Sequence, residues 1–149
     1  MSFINELMDE ITADEGKKLV SYKCSEGKIT VGIGHLVLPD EDLYKQPLGT
    51  KITEGQCRDL FNKDIQIVID EVGSVFPTYE TLPTEVQKIL CNMLFQLGKP
   101  KLSRFFLLRK AIAERKWEEA GNQMYQSKWR RQTPNRANRL IKRMKAVAD

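Results

Sequence analysis

Histidine is almost missing from this chain of 149 residues: His35 stands alone. Cysteine is scarce too. Cys24, Cys57 and Cys91 make an odd count without zinc-like spacing, which argues against a disulfide framework and against a structural metal. Neither a metal nor an organic cofactor is expected. Cys57 and Cys91 sit in apolar helical patterns and read as buried free thiols. No apolar run approaches the ~20 residues of a membrane span, so stable membrane insertion is not expected. The N-terminus, Met1-Ser2-Phe3-Ile4-Asn5-Glu6-Leu7, lacks a basic region followed by an apolar one, and no standard secretion signal is read there. Internal repeats and low-complexity tracts are also lacking. What remains is 41% hydrophobic and 30% charged, the balance of an ordinary globular protein. A chain of this size buries roughly two thirds of the surface its unfolded form exposes, enough to fold as a monomer without staples.

Charge is unevenly spread. Residues 1–98 hold 9 basic and 16 acidic side chains, a net of −7, whereas residues 99–149 hold 15 and 4, a net of +11. A basic final third suggests a polyanionic partner: nucleic acid, a membrane surface or an anionic cell wall. Solvated faces of amphipathic helices explain the same charges. A nucleic-acid partner is not expected, because the basic residues are not interleaved with exposed aromatics and no recognition motif is present.

Hydrophobic spacing divides the chain into two styles. Phe3, Ile4, Leu7, Met8 and Ile11 predict a helix over 3–12. A Gly-rich stretch over 16–35 follows, where Ile29, Val31 and Ile33 alternate with Thr30 and Gly32 in strand fashion. Ser25-Glu26-Gly27-Lys28 reads as the turn of a hairpin, with Gly27 free to take positive φ. Residues 37–51 are irregular, broken by Pro39, Pro47 and Gly49. Thr53 and Gln56 form a capping box that opens one long helix over 53–73, with Ile52 as a staple. After Pro77 the pattern is wholly helical. Thr84 and Gln87 suggest a second capping box, and Gly98 a stop. Shorter helices are predicted over 103–114 and 117–126. Thr133-Pro134 reads as an N-cap followed by proline at the first helical position. The expected class is α+β: a small mixed N-terminal lobe over 13–52, the connecting helix, and a helical C-terminal lobe over 74–149 with helix 3–12 packed on it.

Chemistry concentrates near the end of the first helix. Glu15 falls at a helix C-terminus, where the helix dipole disfavours negative charge, a setting suited to a general acid. An ordinary surface glutamate is the plainer reading of that residue alone. Strand residues fourteen to twenty positions later can face the same carboxyl, and Thr30 offers a hydroxyl there. His35 is either a proton carrier or a structural hydrogen-bonded group, and the structural role is favoured.

Taken together, these residues resemble a known family. Asp14-Glu15-Gly16, Leu19, Tyr22-Lys23, Glu26-Gly27, Thr30 and Gly32-Ile33-Gly34-His35-Leu36 are similar to the active-site hairpin of the T-even phage lysozyme family, glycoside hydrolase family 24. Further similarities follow in order: Leu60-Phe61-Asn62 with Asp64; Asn92-Met93 with Phe95-Gln96 and Gly98; Trp117-Glu118-Glu119-Ala120; and Ser127-Lys128-Trp129 leading to Gln132-Thr133-Pro134-Asn135-Arg136-Ala137. The resemblance implies a lysozyme-like fold and a muramidase acting on bacterial peptidoglycan. It implies Glu15 as the general acid, Thr30 as a holder of the attacking water, and Arg136 as the partner of the catalytic glutamate. It further implies His35 and Asp64 as a structural ion pair, and Glu26, Gly34, Phe95, Gln96 and Asn135 as substrate-binding residues. A protein of this kind, made in the cytoplasm without a signal peptide, would reach the periplasmic wall through a pore or by injection.

One position departs from the family pattern. Cys24 stands where the family has a second catalytic acid, an aspartate. Three readings are open. Cys24 itself works as base or nucleophile, in its thiolate form. Glu26 substitutes from two residues further on. Or turnover is lost, and the fold survives as a glycan-binding or structural module. Lys23 is adjacent in sequence to Cys24, but neighbouring side chains on a strand face opposite ways.

Overall fold

The computed structural model describes residues 2–148. The chain divides into two compact units, one ending at Ile67 and the other beginning at Val68, so the division falls inside the long helix. The architecture is α+β: a small N-terminal sheet, a long connecting helix and a mostly helical remainder.

In the first unit, α1 (Phe3–Glu15) opens where Ser2 Oγ accepts the Asn5 N–H at 3.1 Å. The helix runs three residues past the expected end. Thr12 does not break it, because its hydroxyl donates back to the Met8 carbonyl. Gly16, at positive φ, ends it. Three antiparallel strands follow in the order β1 (Lys18–Lys23), β2 (Ile29–Gly32) and β3 (His35–Leu36). Tyr22 pairs with Thr30, Lys23 with Ile29, and Val31 with His35. β2 lies in the middle, and Thr30, Val31 and Gly32 are all buried, so both of its faces are covered. The outer edge of β1 is covered as well. Ser21 N–H donates to the Thr50 carbonyl at 2.9 Å, Gly49 N–H to the Ser21 carbonyl at 2.8 Å, and Ile52 N–H to the Leu19 carbonyl at 2.8 Å. The segment read as irregular contains one short 3₁₀ turn, Asp42–Lys45.

The connecting helix α2 (Glu54–Val75) begins with the expected capping box. Thr53 N–H donates to Gln56 Oε1 at 2.8 Å, and Gln56 N–H donates to Thr53 Oγ1 at 3.0 Å. Its buried stripe is Cys57, Phe61, Ile65, Val68, Val72 and Val75, at spacings of three and four.

The second unit is built on α3 (Thr84–Leu97), in which Val86 and all of Ile89 to Leu94 are buried. The capping box expected at Thr84 does not form. Pro83 occupies the N-cap position, Thr84 is already helical, and Gln87 Nε2 instead donates to the Tyr79 carbonyl at 2.9 Å. The helix expected over 103–114 is α5 (Phe106–Ala113), which starts three residues late because Phe105 leaves helical geometry, and an unexpected short α4 (Lys99–Leu102) precedes it. α6 (Trp117–Tyr125) packs beside α5 and α8 (Pro134–Lys145). The unexpected short α7 (Lys128–Gln132) is capped by Ser127, whose Oγ accepts the Arg130 N–H at 3.2 Å. Thr133 does precede Pro134 at the start of α8, but it caps nothing: its hydroxyl donates to the Trp129 carbonyl at 3.1 Å.

Arg109 of α5 closes two helix ends at once. Its Nε donates to the Val75 carbonyl at 2.9 Å, and Nη1 donates to the Ser103 carbonyl at 3.0 Å. Both acceptors belong to the carbonyl-rich C-terminal ends of α2 and α4, where a cation also complements the helix dipole. Arg109→Met is therefore expected to lower unfolding free energy by about 2 kcal/mol in urea titration, the scale of charge-assisted hydrogen bonds. An unchanged urea midpoint would mean that water replaces the guanidinium without loss.

Candidate active site

Two groups of chemistry-bearing side chains meet in the first unit. Glu15 is the last residue of α1, half-buried, and its carboxyl lies against the backbone of Gly34. A Cβ at Gly34 would stand 3.1 Å from Glu15 Cδ and 3.1 Å from Oε1. Gly34 also takes φ +64°, which L side chains rarely adopt. The positive φ favours glycine at this position, and a Cβ there would crowd the carboxyl, which would have to shift by a few tenths of an ångström.

The β1–β2 turn forms the second group. Cys24 N–H donates to the Lys28 carbonyl at 2.9 Å, and Gly27 N–H donates to the Cys24 carbonyl at 2.8 Å. Gly27 takes φ +77°, the turn geometry expected of it. The turn aims its own amides at the sulfur. The backbone N–H groups of Lys28 and Glu26, followed by the Thr30 hydroxyl, hold the Cys24 thiol below its ordinary pKa, against a smaller effect of burial and the opposing charge of Glu26. Lys23 has no part in this. Thr30 is buried, and its Oγ1 lies 3.1 Å from the Lys28 carbonyl, so that oxygen and the sulfur compete for its single proton. The other two thiols differ. Cys57 and Cys91 are buried, and burial pushes the Cys57 thiol up. Glu26 offers its backbone to the sulfur and turns its carboxylate to solvent, 3.6 Å from Lys28 Nζ. β1 ends at Lys23, so the two-residue strand period that would place positions 24 and 26 on one side does not apply.

Tyr22, quoted in the hairpin motif but given no role from sequence, joins the two groups. It pairs with Thr30 across the hairpin, and Lys18 Nζ sits 4.3 Å from its ring centroid. Burial raises its phenol pKa, and the negative charges of Cys24 and Glu15 raise it further. The spacing of 22 and 24 was the available signal.

His35 is held at both ring nitrogens. Nδ1 lies 2.8 Å from Asp64 Oδ2 on α2, and Nε2 lies 2.8 Å from Glu41 Oε1. Glu41, the second residue missed in the sequence, also accepts the Leu38 N–H through its other oxygen at 2.7 Å. Burial alone would lower the imidazole pKa, but hydrogen bonds and charge from Asp64 and Glu41 outweigh it and raise the value from 6.5 to about 8.

The remaining candidate residues belong to the second unit. Arg136, buried at the start of α8, donates from Nε and Nη2 to Asn92 Oδ1 on α3, at 2.9 and 2.7 Å. Gln96 accepts the Trp129 indole N–H at 2.8 Å and donates to Thr133 Oγ1 at 3.3 Å. Phe95 is half-buried beside Gln96 in sequence, and Asn135 is exposed on the first turn of α8.

Because the folded pKa of His35 is the higher one, its stabilisation is complete below about pH 6.5 and fades as pH rises through about 8. The melting temperature of the parent should therefore fall toward that of His35→Asn between pH 6.5 and 9. Melting curves that keep a constant offset across that range would show that the imidazolium does not carry this stability.

Known proteins bear on these groupings. Residues 12–146 match the phage lysozyme family. Probable T4-type lysozyme 2 of Dictyostelium discoideum is 32% identical over 157 residues, covering 93% of this chain and 92% of that protein. Probable T4-type lysozyme 1 of the same organism is 34% identical over 158 residues with the same coverage. The pre-baseplate central spike protein of Enterobacteria phage T4 is 28% identical over 152 residues, which take in 90% of this chain but 26% of the spike protein. With its sheet, long helix and helical remainder in the matching order, the chain belongs to the phage lysozyme family.

Proposed function

We propose that the protein engages the glycan strands of bacterial peptidoglycan and cleaves the β-1,4 bond between N-acetylmuramic acid and N-acetylglucosamine. Glu15 protonates the departing glycosidic oxygen. The Cys24 thiolate takes a proton from water held by Thr30, or attacks the sugar directly. The observation that carries this reading is the turn around Cys24: two backbone amides and the Thr30 hydroxyl favour the ionised sulfur. Inverting glycosidases place a second group ~6.5–9.5 Å from the acid so that a water fits between, and retaining enzymes hold it closer. The anomeric form of the first product distinguishes base from nucleophile. Supply to the periplasmic wall through a pore or by injection, as a monomer, belongs to the same reading. The basic final third would hold the protein on the anionic wall.

A second reading, a glycan-binding or structural module without turnover, has the wider support. It asks only for family membership and needs no ionised thiol. The residue at position 24 favours it, since a cysteine supplies no permanent negative charge at neutral pH. The likeness to a spike protein of a phage baseplate favours it also.

Loss of turbidity by permeabilised cells, scanned from pH 5 to 9, separates the two. If sulfur is the working group, Cys24→Ser should fall by about 10²- to 10⁴-fold, the usual contribution of a positioned acid or base. Cys24→Asp should stay active with its acid limb shifted to lower pH, because a carboxylate ionises well before a thiol. An inert parent beside a lytic Cys24→Asp would establish the binding module instead. Glu15→Gln should abolish lysis while co-sedimentation with insoluble peptidoglycan persists. Lysis by that variant would remove Glu15 from the acid role.

A further inference from the structure

The second unit carries an apolar cavity of about 590 Å³, lined by none of Glu15, Cys24 and Thr30. Phe106 and Leu107, at the start of α5, line it and are 69% and 61% exposed. Among the described residues these are the two most exposed large apolar side chains. Water gains nothing from such a pair, and both are easily accommodated in an apolar phase. Three cations surround them. Lys101, Arg104 and Lys128 all line the cavity and all are exposed. None of the three makes a side-chain hydrogen bond or ion pair among the described residues. No acidic residue lines the cavity. Elsewhere in this unit cations do find acids: Arg143 meets Glu85 at 2.6 Å, and Lys145 meets Glu118 at 3.6 Å. The cavity rim therefore joins unsatisfied positive charge to exposed apolar surface.

We infer that this surface docks on the face of a bilayer rich in anionic phospholipid. Phe106 and Leu107 enter the acyl boundary while Lys101, Arg104 and Lys128 pair with lipid phosphates. Charge complementarity selects this occupant, since the rim offers cations and no competing acid. Each basic residue at an anionic leaflet strengthens binding by about fivefold, and the apolar pair supplies the insertion that charge alone lacks. The contact is peripheral, as no helix among the described residues is long and apolar enough to cross a membrane. It does not depend on turnover at Glu15 or Cys24.

The test is sedimentation of the full chain with vesicles of phosphatidylcholine containing 30% phosphatidylglycerol, compared with phosphatidylcholine alone. At 0.1 M salt the anionic vesicles should bind at least tenfold more tightly. The double variant Phe106→Ser, Leu107→Ser should lose at least tenfold of that binding at an unchanged melting temperature. Lys101→Gln combined with Arg104→Gln should lose a similar factor and flatten the salt dependence. Absence of binding to anionic vesicles would overturn the proposal. So would undiminished binding by the Phe106, Leu107 double variant, which would move the attraction to another basic face.

Discussion

The imidazole of His35, pinned between two carboxylates, is the fixed point of the N-terminal unit. Asp64 brings one of them from α2, and Glu41 brings the other from the irregular segment after the sheet. Opposite charge at both nitrogens keeps the ring cationic around neutrality and leaves it one orientation. β3 is only two residues long and begins with this histidine, so it has little else to fix it. Gly34 directly precedes His35, and the Glu15 carboxyl lies against Gly34. Orientation thus passes from a long helix, through an ion triad, to the carboxyl at the end of α1.

The sulfur site rests on a different device, local to five residues. A thiol lacks the charge that a carboxylate brings unaided, and the turn compensates with dipoles rather than with a cation. Backbone amides cannot be mutated away singly, and they cannot swing aside as a lysine would. The amides act on the sulfur whatever side chain position 28 carries, provided that the turn keeps its Gly27 geometry, while the Glu26 charge opposes them. Cys57 and Cys91 are buried in the apolar core and are packing residues.

Much of this was legible in the sequence, and the failures have physical reasons. The capping box at Thr53 forms as expected, whereas the one at Thr84 fails because Thr84 is already the first helical residue and Pro83, at the N-cap, has no hydroxyl to offer. α2 was readable to within two residues from its apolar stripe, since 22 residues average out local ambiguity. α7 was not, because five residues show no period. Glu15 drew attention through its place before Gly16. Glu41 did not, because its link to His35 crosses irregular chain with no spacing rule to announce it. The lowering of the Cys24 pKa was not legible, because its main cause is backbone direction, which sequence does not display.

The sealed flank of the sheet bears on solubility. A strand edge with free amides and carbonyls is a template for pairing with another chain. Here the 49–52 segment already occupies the outer side of β1, and the opposite margin of the sheet is a two-residue strand. Two molecules meeting at high concentration would find no continuous ladder to extend. Crowded copies of the chain therefore lack this route to aggregation.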